Sequence, residues 1–383
     1  MSRLGTETAF DVLARAQRMK AEGRPVINLG IGSPDFRTPD NIVEAGVEAL
    51  RDGYHFYTPA KGLPELRAAV ADDIGARLGF SPDPEQILVV PGGKPTMFFA
   101  MLMLGDEGTE IMYPDPGFPI YRSMIEFSGA TPVPIELEEE SGFGFDAEAV
   151  LSKITPRTRL IILNSPANPT GGVVDREQID HLVAGLEDHP DVYVLSDEIY
   201  SRIVYDGRSH VSLIGYESIR DRLILLDGWS KTYSMTGWRL GWGVWPRSLI
   251  AGAERLQINS TSCASAPVQM AGLEALTGPQ DRVGEMVASF DERRRYLHPA
   301  LNDIAGITCQ LPAGAFYAFP NITGTGLSSQ EVERRLLEDA AVAVVSGTSF
   351  GGLGEGFIRI SYAASMDELV EAVSRMRDVF GSS

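Results

Sequence analysis

The sequence predicts an α/β protein built on a mostly parallel sheet, and two observations carry that expectation. The middle of the chain holds short apolar runs, "QILVV" (86–90), "TRLIIL" (158–163), "DVYVL" (191–195) and "RLILL" (222–226), with no strict alternation of apolar and polar residues. Such runs suit strands buried on both faces. Helix-patterned segments separate them, as "KPTMFFAMLMLG" follows "QILVVPGG" and a helix follows the Pro/Gly loop of "TEIMYPDPGFPIY". Strands that alternate with helices form parallel βαβ units.

The ends of the chain read differently. Residues 1–23, "MSRLGTETAFDVLARAQRMKAEG", have the pattern of an amphipathic helix. From about residue 285 onward, strand-like "GITCQLPAGAFYAFPNI", "VAVVSGTSF" and "GFIRISYA" lie between helical "SSQEVERRLLEDA" and "MDELVEAVSRMRDVFG", which suggests a smaller α+β domain. The 383 residues are enough for two domains.

Composition narrows the function. A net charge of −19 leaves no basic surplus to neutralise phosphates, so a general nucleic-acid binder is not expected. Two cysteines, Cys263 and Cys309, are too few for a disulfide framework, and no Cys/His spacing suggests a metal site. The N-terminus lacks a signal-peptide core and no run is long enough to span a membrane, so a cytoplasmic location is expected.

In an open parallel sheet, ligands bind beyond the carboxyl ends of the strands. The polar residues that end the apolar runs should therefore share one crevice: Gly92 to Lys94, Asp115 to Phe118, Asn164 to Asn168, Asp197, Tyr200, and Asp227 to Lys231. Taken singly, each is an ordinary turn residue. "PGGK" before a helix offers free N–H groups and the positive end of a helix dipole, a place for a phosphate. The spacing is neither that of a P-loop nor of a dinucleotide fingerprint. A buried Asp can hold a proton on a heterocyclic nitrogen.

The chain has only five lysines, Lys20, Lys61, Lys94, Lys153 and Lys231, and otherwise uses arginine. A lysine in "LDGWSKTYSMTGWR" therefore suggests a position that needs an amine, which can condense with an aldehyde as arginine cannot. Phosphate, ring nitrogen and aldehyde together describe pyridoxal 5′-phosphate (PLP).

At this point the chain resembles a known family. "GSPDF", "YTPAKGLPELR", "PGGK", "NSPANPTG", "SDEIY", "SKTYSMTGWRLGW", "PAGAFY" and "IRISYA" occur in the order found in class I/II aminotransferases of PLP fold type I, most like the bacterial aspartate aminotransferase branch. The resemblance implies a large PLP-binding domain over 46–284, with a mostly parallel seven-stranded sheet sandwiched by helices. Residues 1–45 and 285–383 would build the small α+β domain.

It also implies roles. Lys231 would bond to the cofactor aldehyde and then carry a proton, and Asp197 would pair with the pyridine nitrogen. Asn168 and Tyr200 would meet the ring oxygen, and Phe118 would stack on the ring. Gly93, Lys94, Ser230 and Arg239 would bind the phosphate, joined by Tyr57 from the other subunit of a homodimer. Arg359 would clamp the substrate α-carboxylate, with Gly32 and Asn168 beside it, and Lys94 would meet a distal carboxylate. No metal is implied.

The expected activity is ping-pong transfer of an amino group from an L-amino acid to a 2-oxo acid, aspartate and 2-oxoglutarate being the leading pair. Aromatic or other biosynthetic amino acids are the alternative substrates. A PLP-dependent lyase, decarboxylase or oxidase is the alternative reaction on this scaffold. An amino-acid sensor fused to a DNA-binding module finds no support, because no basic helix-turn-helix segment is present.

Overall fold

The computed structural model describes residues 4–5 and 9–381. Seven strands form the central sheet: β1 (Ile87–Val90), β2 (Glu110–Asp115), β3 (Thr131–Glu136), β4 (Thr158–Asn164), β5 (Tyr193–Asp197), β6 (Leu223–Gly228) and β7 (Gly241–Val244). Their order is β1-β7-β6-β5-β4-β2-β3, and all neighbours are parallel except β7, which runs antiparallel to both β1 and β6. The chain is thus α/β as expected, with a mostly parallel sheet between layers of helices.

Residues of β1, β2, β6 and β7 are buried throughout, which explains the unbroken apolar runs. Two strands were not evident as such from apolar runs, and local chemistry says why. In β3, "TPVPIE" contains Pro132 and Pro134, which have no N–H to donate. The neighbouring odd positions Thr131 and Leu137 donate to Thr109 and Asp115 of the β2 side, so both prolines turn their missing donors to the open edge of the sheet. In β7, glycines replace apolar residues because space is short: a Cβ on Gly241 would lie 2.6 Å from the Gly92 carbonyl carbon.

Two smaller sheets lie outside this layer. Ile27–Asn28 pairs in parallel with Val342–Ala343, and Ile358–Ser361 runs antiparallel between Val345–Ser346 and Tyr317–Ala318. Ile27 and Leu29 share a buried apolar cluster with Phe290, Leu297, Val342 and Ile360, so the N-terminal segment packs with the C-terminal third. The helical expectation for the N-terminus is met over Ala9–Ala21, while residues 1–3 and 6–8 lie outside the described residues.

Both expected domain boundaries fall inside helices. The first lies in Asp40–Arg51, which packs on Ala266–Thr277, and there a Cβ on Gly46 would be 2.9 Å from the Trp238 ring. The second lies in Asp281–Asn302.

Candidate active site

The carboxyl ends of the strands open into a cavity of about 560 Å³. Of the residues singled out in the sequence, Gly32, Gly93, Lys94, Phe118, Asn168, Asp197, Tyr200, Ser230, Lys231, Arg239 and Arg359 all line it. Tyr57 does not: its side chain stands 87% exposed on the surface of the single chain, next to exposed Phe56.

Lys231 sits in the short helix Trp229–Thr232, which starts where β6 ends. The indole of fully buried Trp229 donates to the Gly272 carbonyl at 2.9 Å and anchors that turn. The Lys231 ammonium reaches back across the cavity to the Gly32 carbonyl. Gly32 has no room for a side chain, since a Cβ there would meet the Tyr317 hydroxyl at 2.3 Å.

Asp197 terminates β5 and is 2% exposed. Its Oδ2 accepts from the Tyr121 hydroxyl at 2.6 Å and its Oδ1 from the Ile199 N–H at 3.2 Å. Asn164 of β4 donates to the Asp197 carbonyl at 3.0 Å and accepts from the Asn168 N–H at 2.9 Å, so one side chain ties the two strand ends together. Burial pushes the Asp197 carboxyl up to about 6, against those hydrogen bonds. A carboxylate so placed gains from a cationic partner in the cavity.

Backbone N–H groups and a guanidinium that suit an anion meet in one part of the cavity. The helix Lys94–Leu104 begins at the PGGK turn, directing backbone N–H groups toward the cavity. Arg239, held in the left-handed region at φ 57°, brings its guanidinium over the turn and donates to the Thr236 carbonyl at 2.8 Å. A Cβ on Gly92, itself at φ 83°, would lie 2.2 Å from Arg239 Nη2, so glycine is required for the approach. Ser230 also lines the cavity.

The cavity is also lined by Arg359, from the strand Ile358–Ser361 and 4% exposed. Its Nη1 donates to Asn168 Oδ1 at 2.8 Å and its Nη2 to the Gly30 carbonyl at 2.6 Å. The guanidinium carbon lies 4.7 Å from the centroids of both the Tyr317 and Phe350 rings. Aromatic contacts and oriented acceptors hold a fork of the kind that receives a carboxylate. The Tyr317 hydroxyl is also hydrogen-bonded to that of Tyr200 at 2.8 Å.

Phe118 lies in the loop after β2, its ring edge-on to Tyr121 at 5.8 Å, and Lys94 Nζ is 5.4 Å from the Phe118 centroid. Among the described residues, no group of His, Cys, Asp and Glu could hold a metal ion, and no helix is long and apolar enough to cross a membrane. Sequence reasoning did not assign roles to Tyr121, Tyr317 or Phe350. Tyr121 and Tyr317 lie in "DPGFPIY" and "PAGAFY", and an aromatic three residues beyond Phe118 is the signal the sequence offers.

Comparison with known proteins agrees with this geometry. Residues 24–376 match the family model for aminotransferase class I and II. An aspartate aminotransferase of Pyrococcus horikoshii is 39% identical over 368 residues, covering 96% of this chain and 92% of that protein. The structure of a Thermus thermophilus aspartate aminotransferase with maleate superposes with a TM-score of 0.94 at 33% identity, covering 99% of each chain. An aromatic aminotransferase from Pyrococcus horikoshii superposes with a TM-score of 0.89 at 36% identity, covering 95% of this chain and 98% of the other. With the family model matched across most of its length and a relative 39% identical over 96% of the chain, the chain belongs to the class I and II aminotransferases.

Proposed function

We propose that the protein is a PLP-dependent aminotransferase acting on aspartate and 2-oxoglutarate. The observation that carries this reading is the meeting, in one cavity, of the Lys231 amine, the buried Asp197 carboxylate, the Arg239 cradle and the Arg359 fork. The residues fit the cofactor. Arg239, Ser230 and the helix start at Gly93 and Lys94 suit its phosphate, and Asp197 suits its protonated ring nitrogen. Asn168 and Tyr200 are near enough to the same space to meet its ring oxygen, and Phe118 to cover its face. When bound, PLP supplies an electron sink for the substrate Cα.

The chain's own groups do the rest. Arg359 receives the α-carboxylate on two N–H groups, with Gly32 and Asn168 beside it. That fixes the direction of the Cα–H bond, which matters as much as the base. Lys231 Nζ, held in the same cavity, takes the proton from Cα.

Lys94 is the basis for the choice of substrate. Its ammonium lies 5.4 Å from the Phe118 ring centroid in the wall of the cavity, where a distal carboxylate would pair with it and an apolar side chain would not. The names of the Pyrococcus and Thermus relatives support aspartate, and the similarity to an aromatic aminotransferase keeps aromatic amino acids as the second reading. The exposed Phe56 and Tyr57 support a homodimer in which Tyr57 reaches the partner's phosphate cradle. The assembly is read as working in cytoplasmic amino acid metabolism.

The test is a panel of half-reactions followed by the absorbance of bound cofactor, with aspartate, glutamate, phenylalanine and tyrosine. Aspartate is expected to bleach the cofactor band and 2-oxoglutarate to restore it. Lys94→Ala is expected to weaken only the dicarboxylic donors, by roughly tenfold or more. Equal weakening of all four sinks the role of Lys94, and a preference for the aromatic donors establishes the second reading. Lys231→Ala is expected to abolish turnover, and borohydride is expected to label Lys231 in the wild type. A label on another lysine overturns the assignment.

A further inference from the structure

Asp115 ends β2 beside the site, is 4% exposed, and is not among the residues lining the cavity. Its carboxylate meets a turn between the strands Val345–Ser346 and Ile358–Ser361. Oδ1 accepts from the Leu353 N–H at 3.1 Å and Oδ2 from the Gly352 N–H at 3.2 Å. Two residues on, the Gly117 N–H donates to the Phe350 carbonyl at 2.7 Å. Gly351 makes this approach possible: at φ 132° it bends the chain over the carboxylate, and a Cβ would lie 2.1 Å from Oδ1.

These bonds matter at the tip of the turn, since its base is already held by the Gly347 N–H donating to the Phe357 carbonyl at 2.8 Å and by the burial of Phe350. Gly352 and Leu353 are exposed, with Leu353 at 47%, so apolar burial does not fix their position. Phe350, two residues before Gly352, is buried and packs against the Arg359 guanidinium. The two sides of the contact carry different parts of the site. The 115–118 loop carries Phe118, on the cofactor side, and the 347–353 turn carries Ser349 and Phe350, on the substrate side.

We propose that Asp115 is a positioning residue for substrate binding, which pins the 347–353 turn to the sheet so that Phe350 holds Arg359 in its receiving geometry. This rests on the reading of Arg359 as the carboxylate clamp.

The test uses the holoenzyme and two variants. In Asp115→Asn the amide oxygen can accept one N–H, and its own NH2 opposes the other, so half the contact is lost in nearly the same volume. Asp115→Ala loses both bonds. The KM for the amino donor and the Kd of maleate, a non-reacting dicarboxylate, are expected to rise about tenfold in Asp115→Asn and further in Asp115→Ala. The kcat is expected to stay within about twofold, because binding is lost equally in ground and transition states. Cofactor affinity and absorbance are expected to be unchanged. A merely structural role would lower stability without this split.

Hydrogen exchange reads the contact independently of activity. The amides of Gly352 and Leu353 are expected to be protected in the wild type and to exchange rapidly in Asp115→Asn. If the wild type turns over no amino acid, the aminotransferase reading fails while the exchange result still decides whether the contact exists. Rapid exchange in the wild type, or an unchanged KM and maleate Kd once protection is lost, overturns the proposal. Should the Asp115 variants not fold, Gly351→Ala displaces the same contact from the other side and is expected to give the same split, with an unchanged KM again overturning it.

Discussion

The Tyr121 hydroxyl donates to Asp197 Oδ2 across 2.6 Å, and the same phenol ring meets Phe118 edge-on. One fully buried side chain thus steadies both the carboxylate proposed to hold the ring nitrogen and the aromatic proposed to cover the ring. The hydrogen bond favours the ionised form of Asp197, which burial alone opposes.

Tyr121→Phe keeps the edge contact and removes only the hydroxyl. Asp197 should then rise further, and cofactor affinity at pH 7 should fall by about tenfold, the scale of one hydrogen bond to a charged group. Titration of the apoprotein with PLP, followed by absorbance, checks this. An unchanged Kd would show that Asp197 does not need the phenol.

A pH dependence follows from Asp197 itself. With its carboxyl pushed up to about 6, it is ionised above that pH and ready for a cationic partner. Below it, the group must first give up a proton, so cofactor affinity should weaken toward the limit of about tenfold per pH unit. Asp197→Asn should bind PLP more weakly at every pH and lose the inflection near 6. An inflection that survives in the variant belongs to another group.

Near the end of β6, burial pushes Asp227 up to about 7, against the attraction of Arg77 at 3.9 Å. Its folded value lies above the unfolded one of about 3.9, so the native state binds this proton more tightly. The stabilisation is fully present at low pH and is lost as pH rises from about 4 toward 7.

Asp227→Asn should therefore raise the Tm at pH 8 by roughly 2 °C and leave it nearly unchanged at pH 4. Arg77 keeps its bond to Asp73 at 2.9 Å, so no buried cation is stranded. A lower Tm at pH 8 would show that the ion pair outweighs the burial cost.

Much of the site was legible because strand ends announce themselves. Lys94, Asn168, Asp197 and Lys231 each follow an apolar run within a few residues, and a parallel sheet gathers such ends on one side. Strands β3 and β7 were less legible, since prolines at an open edge and glycines under steric pressure carry no apolar signal. Tyr121 has an ordinary aromatic setting in sequence, and its role depends on its hydroxyl reaching from helix Ile120–Ser128 to Asp197 at the end of β5. Tyr57 is exposed on the single chain, so within one chain it makes no contact with the cavity, and the contribution proposed for it needs a second copy.

By itself the sequence determined the α/β class, the order of the elements and the kinds of chemical group available, because these follow from local periodicity and residue type. Only the tertiary structure decided which groups meet. Arg359 reaches the Gly30 carbonyl across 329 residues of chain, Lys231 reaches Gly32 across 199, and Asp115 reaches Leu353 across 238. No local pattern encodes such contacts, since they depend on how separate layers pack and where glycines let backbones come close.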